Sequence, residues 1–204
     1  MNQGSHKGEY VIHKSFFKNN PLDKMSAAVI ADFSLTTLFN DELNAEMEKI
    51  INGQISDERK AHIISDKAAV EELTNGEEVV SYMRKNHDNL ADSLFCKKAL
   101  TMEAEAAPLI IKRYKTTAQD RFVELAFRIL AKADRKYTEQ LFHEYKEIRN
   151  PYAQAMACLL FGEQEMEEAV PLLMKEYERF KKEYPEESFN QAPLLALHIL
   201  FGEA

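Results

Sequence analysis

Three observations predict an all-α fold built from repeated helix pairs. Gly and Pro number only 6 each in 204 residues, about half of the average usage of roughly 7% and 5%, so the residues that shape tight turns are scarce. An apolar triplet with spacing i, i+1, i+4, which lines one stripe of a helix, occurs at Val79/Val80/Met83, Ile110/Ile111/Tyr114, Leu141/Phe142/Tyr145 and Leu173/Met174/Tyr177, in steps of 31, 31 and 32 residues. A second apolar stripe follows each triplet, at Leu94/Phe95, Leu125/Ala126/Ile129/Leu130, Ala155/Met156/Leu159/Leu160 and Leu195/Ala196/Ile199/Leu200. Two helices per unit, four times over, is the pattern of stacked units, because self-similarity at a period of roughly 20–50 residues marks a repeat architecture.

Taken in order, residues 1–20 are rich in Gly, Asn, Lys and His, with one alternating apolar piece from Tyr10 to Phe17. They read as a loosely ordered arm that can dock through Phe16 and Phe17. The N-terminus shows no apolar signal region, and Cys96 and Cys158 are the only cysteines, so the expectation is a cytoplasmic protein with reduced thiols. In residues 21–76 the triplet does not continue in register. Helices are expected at Met25–Phe39, Asp41–Asn52 and Asp57–Ser65, with breaks at Gly53 and Asn75-Gly76. This stretch reads as a helical cap, since an array must cover its end faces and terminal units are atypical. Residues 21–204 are therefore expected to form one domain, with the cap at 21–76 and four repeats at 77–204.

Helix-start and helix-stop residues fall between the stripes of the repeats. Asp88 or Asn89 can cap the helix through Leu94, and Thr117 with Asp120 has the spacing of a capping box. Asn150-Pro151 offers an N-cap followed by Pro at the first helical position, while Gly162 and Gly202 stand where a left-handed C-terminal residue belongs. The closest internal match pairs Cys158-Leu-Leu-Phe-Gly-Glu163 with His198-Ile-Leu-Phe-Gly-Glu203. The last unit carries a longer connection, from Phe180 to Ser188.

Over residues 77–204 the chain resembles the HEAT-repeat family of armadillo-like proteins. The likeness lies in the paired amphipathic helices and in a proline within first helices, at Ala106-Ala-Pro-Leu-Ile-Ile and Ala169-Val-Pro-Leu-Leu-Met. It implies a right-handed α-solenoid of antiparallel pairs in which such prolines bend the first helix. The family's Asp and Arg ladder is matched in part by Thr117-Ala-Gln-Asp-Arg-Phe and not by Asn150-Pro-Tyr-Ala-Gln-Ala. Tetratricopeptide arrays have a similar period of about 34 residues, but their Trp-Leu-Gly-Tyr pattern is missing.

No catalytic constellation stands out, and no catalytic residue, cofactor or metal is expected. His87-Asp88 has the two-residue signature of HD phosphohydrolases but reads more simply as a helix end followed by a capping Asp. Glu139 and His143 lack the Glu-x-x-His partner of a di-iron site. Cys96 and Cys158 lie two repeats apart, roughly 20 Å at about 10 Å per helix layer, too far for a disulfide or a shared metal. The acidic run Glu163–Glu168 suits the N-terminal end of a helix. Tyr114, Tyr145 and Tyr177 form a column in register, expected to be interior with hydroxyls at the rim.

Charge narrows the function classes. With 26 Lys+Arg against 34 Asp+Glu, net charge −8 and pI near 5.4, no affinity for nucleic acid or an anionic membrane is expected. No run approaches the 18 or so apolar residues of a spanning helix. In the second helices one column reads Lys97, Arg128, Cys158 and His198, and one turn earlier Ser93, Glu124, Gln154 and Leu194. The HEAT resemblance implies that second helices line a concave face, so that Lys97, Arg121, Glu124, Arg128, Gln154 and His198 look into a groove. There Lys97, Arg121 and Arg128 would hold an acidic segment of a protein or peptide partner, while Lys112 and Lys175 would sit on the convex side. The expected function is a non-catalytic binding scaffold. The alternative, a HEAT-like DNA glycosylase, sits poorly with the absence of Trp and the net charge of −8.

Overall fold

The computed structural model describes residues 4–7, 10–22, 45, 49 and 53–201. Among these residues the chain is helical apart from one antiparallel hairpin, β1 (Gly4–Lys7) and β2 (Tyr10–His13), which pairs Gly4 with His13 and Lys7 with Tyr10. A short helix α1 (Lys14–Asn19) follows, and α2 spans Asp57–Glu71. Eight further helices then succeed one another: α3 (Gly76–Met83), α4 (Asp92–Leu100), α5 (Glu103–Tyr114), α6 (Asp120–Leu130), α7 (Arg135–His143), α8 (Pro151–Glu163), α9 (Val170–Glu183) and α10 (Gln191–Phe201). This is the expected number for four helix pairs, and the described residues after Asn75 contain no strand. The expected helix at Met25–Phe39 lies outside the described residues, as does that at Asp41–Asn52 except for Ala45 and Lys49. No helix among the described residues is long and apolar enough to cross a membrane.

The chain divides into two compact units, one of residues 32–137 and one of residues 1–31 with 138–204. The N-terminal segment thus belongs to the same unit as the C-terminal helices. Its anchors are the two aromatics singled out above. Phe17 is buried, with its ring 4.5 Å from that of His198 and 6.3 Å from that of Phe201, and Phe16 meets Tyr177 edge-on at 5.7 Å. The Tyr177 hydroxyl donates to Asn20 Oδ1 at 2.7 Å. Within this unit α8 packs on α10, and α9 on α10.

In the unit of residues 32–137, first helices α3 and α5 pack together, second helices α4 and α6 pack together, and α5 packs on α6. The first and last members of every triplet are buried, namely Val79/Met83 and Ile110/Tyr114 here and Leu141/Tyr145 and Leu173/Tyr177 in the other unit. Gly76 opens α3 against the start of α5: its N–H donates to Glu105 Oε2 at 3.2 Å, and a Cβ there would lie 2.7 Å from the Glu105 carbonyl carbon. The two helices therefore begin side by side.

Local chemistry departs from expectation at several ends. Helix α2 runs past Ser65 because Ile63, Asp66 and Val70 continue its buried face, and the only large apolar residue of that extension is Val70. Thr117 and Asp120 form no capping box; α6 begins at Asp120, and the Thr117 hydroxyl accepts from Gln119 N–H at 3.2 Å instead. Gly162 is not a left-handed terminator but lies inside α8, while Glu165 takes the left-handed backbone with φ 51°. Gly202 is outside the described residues. Asn150 caps α8 as expected, accepting from Tyr152 N–H at 3.0 Å with Pro151 in the first turn. Pro171 likewise occupies the first turn of α9, where its missing N–H costs no helical bond, so of the two first-helix prolines only Pro108 is interior.

Candidate functional site

On the second helices of residues 32–137, two cations of the expected positive strip, Arg121 and Arg128, lie in a partly buried cluster around a carboxylate. Arg121 on α6 pairs with the Asp92 carboxylate at the start of α4, and Asp92 is only 5% exposed. Burial raises the Asp92 pKa, and the Arg121 charge and hydrogen bond offset this only in part. Arg128, with Glu124 beside it, contributes to the same field, and burial holds Arg128 below the ordinary guanidinium range. The buried Cys96 thiol is pushed up to about 12, by burial first and by Asp92 second. Lys97 is half-buried on α4. The structure therefore brings Arg121, Glu124 and Arg128 together around Asp92, a residue the sequence reading passed over.

In the C-terminal unit the same column is closed rather than open. His198 is 7% exposed and covered by Phe17, and Cys158 is fully buried. Gln154 spans two partners, its amide donating to the Ile148 carbonyl at 2.7 Å and its oxygen accepting from Arg179 Nη2 at 2.7 Å. Arg179 also grips Glu176, which is 4% exposed, through Nε at 2.7 Å. The Tyr145 hydroxyl, expected at the rim, is buried and donates to Glu176 Oε2 at 2.9 Å. Burial first, then Cys158 and Glu176, raise the Tyr145 pKa far above the ordinary phenol value and keep it a donor. Burial also pushes the Cys158 thiol up to about 12. Gln154 and His198 thus serve the fold and do not line an open groove, because α1, α9 and the turn before α8 supply partners that periodicity does not reveal.

His87 and Asp88 also find structural partners. Asp88 caps the turn ahead of α4, accepting from Leu90 N–H at 3.1 Å, and receives Arg59 Nε at 2.7 Å. His87 Nδ1 donates to Asp66 Oδ1 at 3.0 Å, and Asp88 N–H donates to Asp66 Oδ2 at 2.8 Å. The His87 ring stacks on Tyr82 at 3.6 Å, and Tyr82 stacks on Phe95 at 4.5 Å. Burial works to raise the Asp66 pKa, but the hydrogen bonds from Asp88 and His87 and the fields of His87 and His62 outweigh it, so the carboxyl is held below its ordinary value. A lowered folded-state pKa stabilises above the unfolded value and is lost as pH falls through the folded one. Asp66→Asn is accordingly expected to lower the urea midpoint at about pH 7, with the gap from the parent closing below about pH 4. Urea titrations across that range test this; a pH-independent gap would show that the carboxylate charge is not what Asp66 contributes. Among the described residues no group of three or more His, Cys, Asp or Glu could hold a metal ion.

An open cavity of about 540 Å³ lies on the first helices, between α3 and α5. Glu77, Val80, Ser81 and Arg84 line it from α3, and Leu109, Lys112, Arg113 and the following Lys115 and Thr116 line it from α5 and its end. Both stripes have spacing i, i+3, i+4, i+7, the signature of one helix face. Each α3 residue stands 32 positions before its α5 counterpart, as in Ser81 and Arg113. Among the described residues no ion pair or side-chain hydrogen bond engages Arg84, Lys112 or Arg113, and Arg113 Nε is buried without an acceptor. The HEAT resemblance implies a convex-side position for Lys112, away from the expected groove. The signal that could have found the site is the repeated polar stripe flanking the apolar triplets.

Among the described residues the fold is helical apart from one hairpin, with a basic cavity between α3 and α5. No family model, curated protein or solved structure matches this chain.

Proposed function

We propose that the chain is a non-catalytic scaffold of HEAT-like helix pairs, arranged as a right-handed α-solenoid, that binds an acidic segment of a protein partner. The packing of first helix on first helix and second on second supports the repeat reading. One observation carries the binding reading: a chain of net charge −8 gathers four cations around one cavity and leaves three of them without a partner among the described residues. Of the second-helix cations, Arg121 is engaged by Asp92. The proposed docking face is the α3–α5 side.

A fluorescein-labelled peptide of alternating Glu and Leu, followed by anisotropy on the full chain, tests this. Arg84→Glu with Lys112→Glu is expected to weaken binding by about tenfold or more, the worth of one charge-assisted hydrogen bond. Lys97→Glu is expected to leave it unchanged. A wild-type chain that does not bind, or a loss confined to Lys97→Glu, would overturn the reading.

A further inference from the structure

We infer that the α3–α5 cavity is filled by a second copy of this chain, which inserts its acidic tip Pro185-Glu186-Glu187 in a head-to-tail contact; this rests on the docking reading above. The charge of the cavity sets what it takes. Arg84, Lys112 and Arg113 line it without a partner among the described residues, whereas Lys115 is already engaged. Against the three stand the Glu77 carboxylate and two helix C-termini, which contribute about −0.5 charge each, so about one positive charge is left over. A single carboxylate meets it.

The chain itself holds out such a group. In the long connection from α9 to α10, Pro185, Glu186, Glu187 and Ser188 are exposed one after another. Neither glutamate has an ion pair or side-chain hydrogen bond among the described residues. Helix α10 begins only at Gln191, so the two carboxylates stand outside its first turn and gain little from its dipole. Their position is nonetheless fixed. The Glu187 N–H donates to the Tyr184 carbonyl at 3.1 Å, and the Tyr184 and Phe189 rings on either side lie 5.5 Å apart. Both pack on the buried ring of Phe180, at 6.1 and 6.0 Å. A tip ordered before binding loses little freedom on docking.

Shape agrees with charge. Half-buried Val80 and Leu109 form an apolar part of the lining, and a volume of about 540 Å³ has room for more than one side chain. The exposed Pro185 ring covers Val80 and Leu109, while one neighbouring carboxylate meets Arg84 and Arg113, whose planar forks suit it. Arg113 Nε, buried without an acceptor, gains one. The other carboxylate stays in water at the mouth. Tip and cavity are different patches of one chain, so the contact is heterologous, and each added copy leaves one tip and one cavity unused.

Sedimentation equilibrium on the full chain tests this. At low salt the weight-average mass is expected to rise with concentration above the 23.5 kDa of one copy. It should return to that value at about 1 M salt, where the Debye length falls to about 3 Å. Arg84→Glu, which spoils the cavity, and Glu186→Gln with Glu187→Gln, which neutralises the tip, should each weaken association by about tenfold or more. Lys136→Glu, outside both patches, should leave it unchanged; circular dichroism confirms folding of each variant. Mixed in equal amounts where the parent associates, the cavity and tip variants should form dimers and nothing larger, because the first keeps its tip and the second its cavity. A parent chain that stays at 23.5 kDa throughout but binds the Glu and Leu peptide overturns this inference and leaves the docking reading intact. One that also fails to bind the peptide removes both. Association that survives either variant, or a mixture that stays monomeric or grows beyond dimers, overturns the head-to-tail contact.

Discussion

Glu176→Leu is expected to destabilise the C-terminal unit by about 3 kcal/mol, because removing one partner of a buried ion pair strands the other. Glu176 is 4% exposed and accepts from both Tyr145 and Arg179. Its loss leaves a buried phenol without its carboxylate acceptor and a guanidinium that keeps Gln154, Glu183 and the face of the Phe180 ring. The Arg179 side chain is 24% exposed, so part of its charge can turn to water, which places the cost at the lower end of the usual range of roughly 3–5 kcal/mol. Tyr145→Phe removes one donor and should cost nearer 1 kcal/mol. The double variant Glu176→Leu with Arg179→Leu should recover much of the loss, since a buried pair exchanged for apolar residues of similar volume is often neutral. Urea denaturation followed by circular dichroism measures all three. A single Glu176 variant within about 0.5 kcal/mol of the parent would show that the network is incidental to stability.

Gly162→Val should cost about as much by an unrelated route. A Cβ at Gly162 would meet Ala196 Cα at 2.6 Å and Ala196 Cβ at 2.7 Å, so the facing backbone of α10 must retreat from α8. Overpacking of this kind typically costs about 1–3 kcal/mol, and a backbone contact leaves little room for side-chain relief. The milder Gly162→Ala distinguishes the mechanism by its sign. Ala is the better helix former by about 1 kcal/mol, so a solvent-exposed glycine inside a helix would be stabilised by the change. Here the α8–α10 contact reverses the outcome, and thermal unfolding should show a lower midpoint. Adding Ala196→Gly removes the Cβ contact and should restore part of the loss; a raised midpoint in Gly162→Ala alone would remove the close-approach explanation.

The helices and their interior were legible because burial leaves a periodic trace. The triplets at Val79, Ile110, Leu141 and Leu173 each place their first and last members in the core, and eight helices succeed one another after Asn75. Capping was legible where one residue does the work, as at Asn150, and illegible where two must cooperate, as at Thr117 and Asp120. The cysteines were read correctly as far as pairing goes: both are free and buried. The site residues were the weak part. Arg128, Gln154 and His198 share a column with Lys97, and a column looks the same in sequence whether solvent or protein covers it.

By itself, the sequence determined the helical class, the helix count from residue 77 onward and the buried stripe of each triplet. These follow from the spacing of apolar residues along one chain, which is a local quantity. Only the tertiary structure decided which polar residues are available. Phe17 covers His198 from almost the far end of the chain, Asp92 takes up Arg121 from 29 positions away, and Gly162 is required by a contact with Ala196. Arg84, Lys112 and Arg113 are left to line a cavity because no carboxylate among the described residues reaches them. Availability depends on which partner arrives from elsewhere in the fold, and hydrophobic periodicity, being blind to charge pairing across helices, carries no record of it.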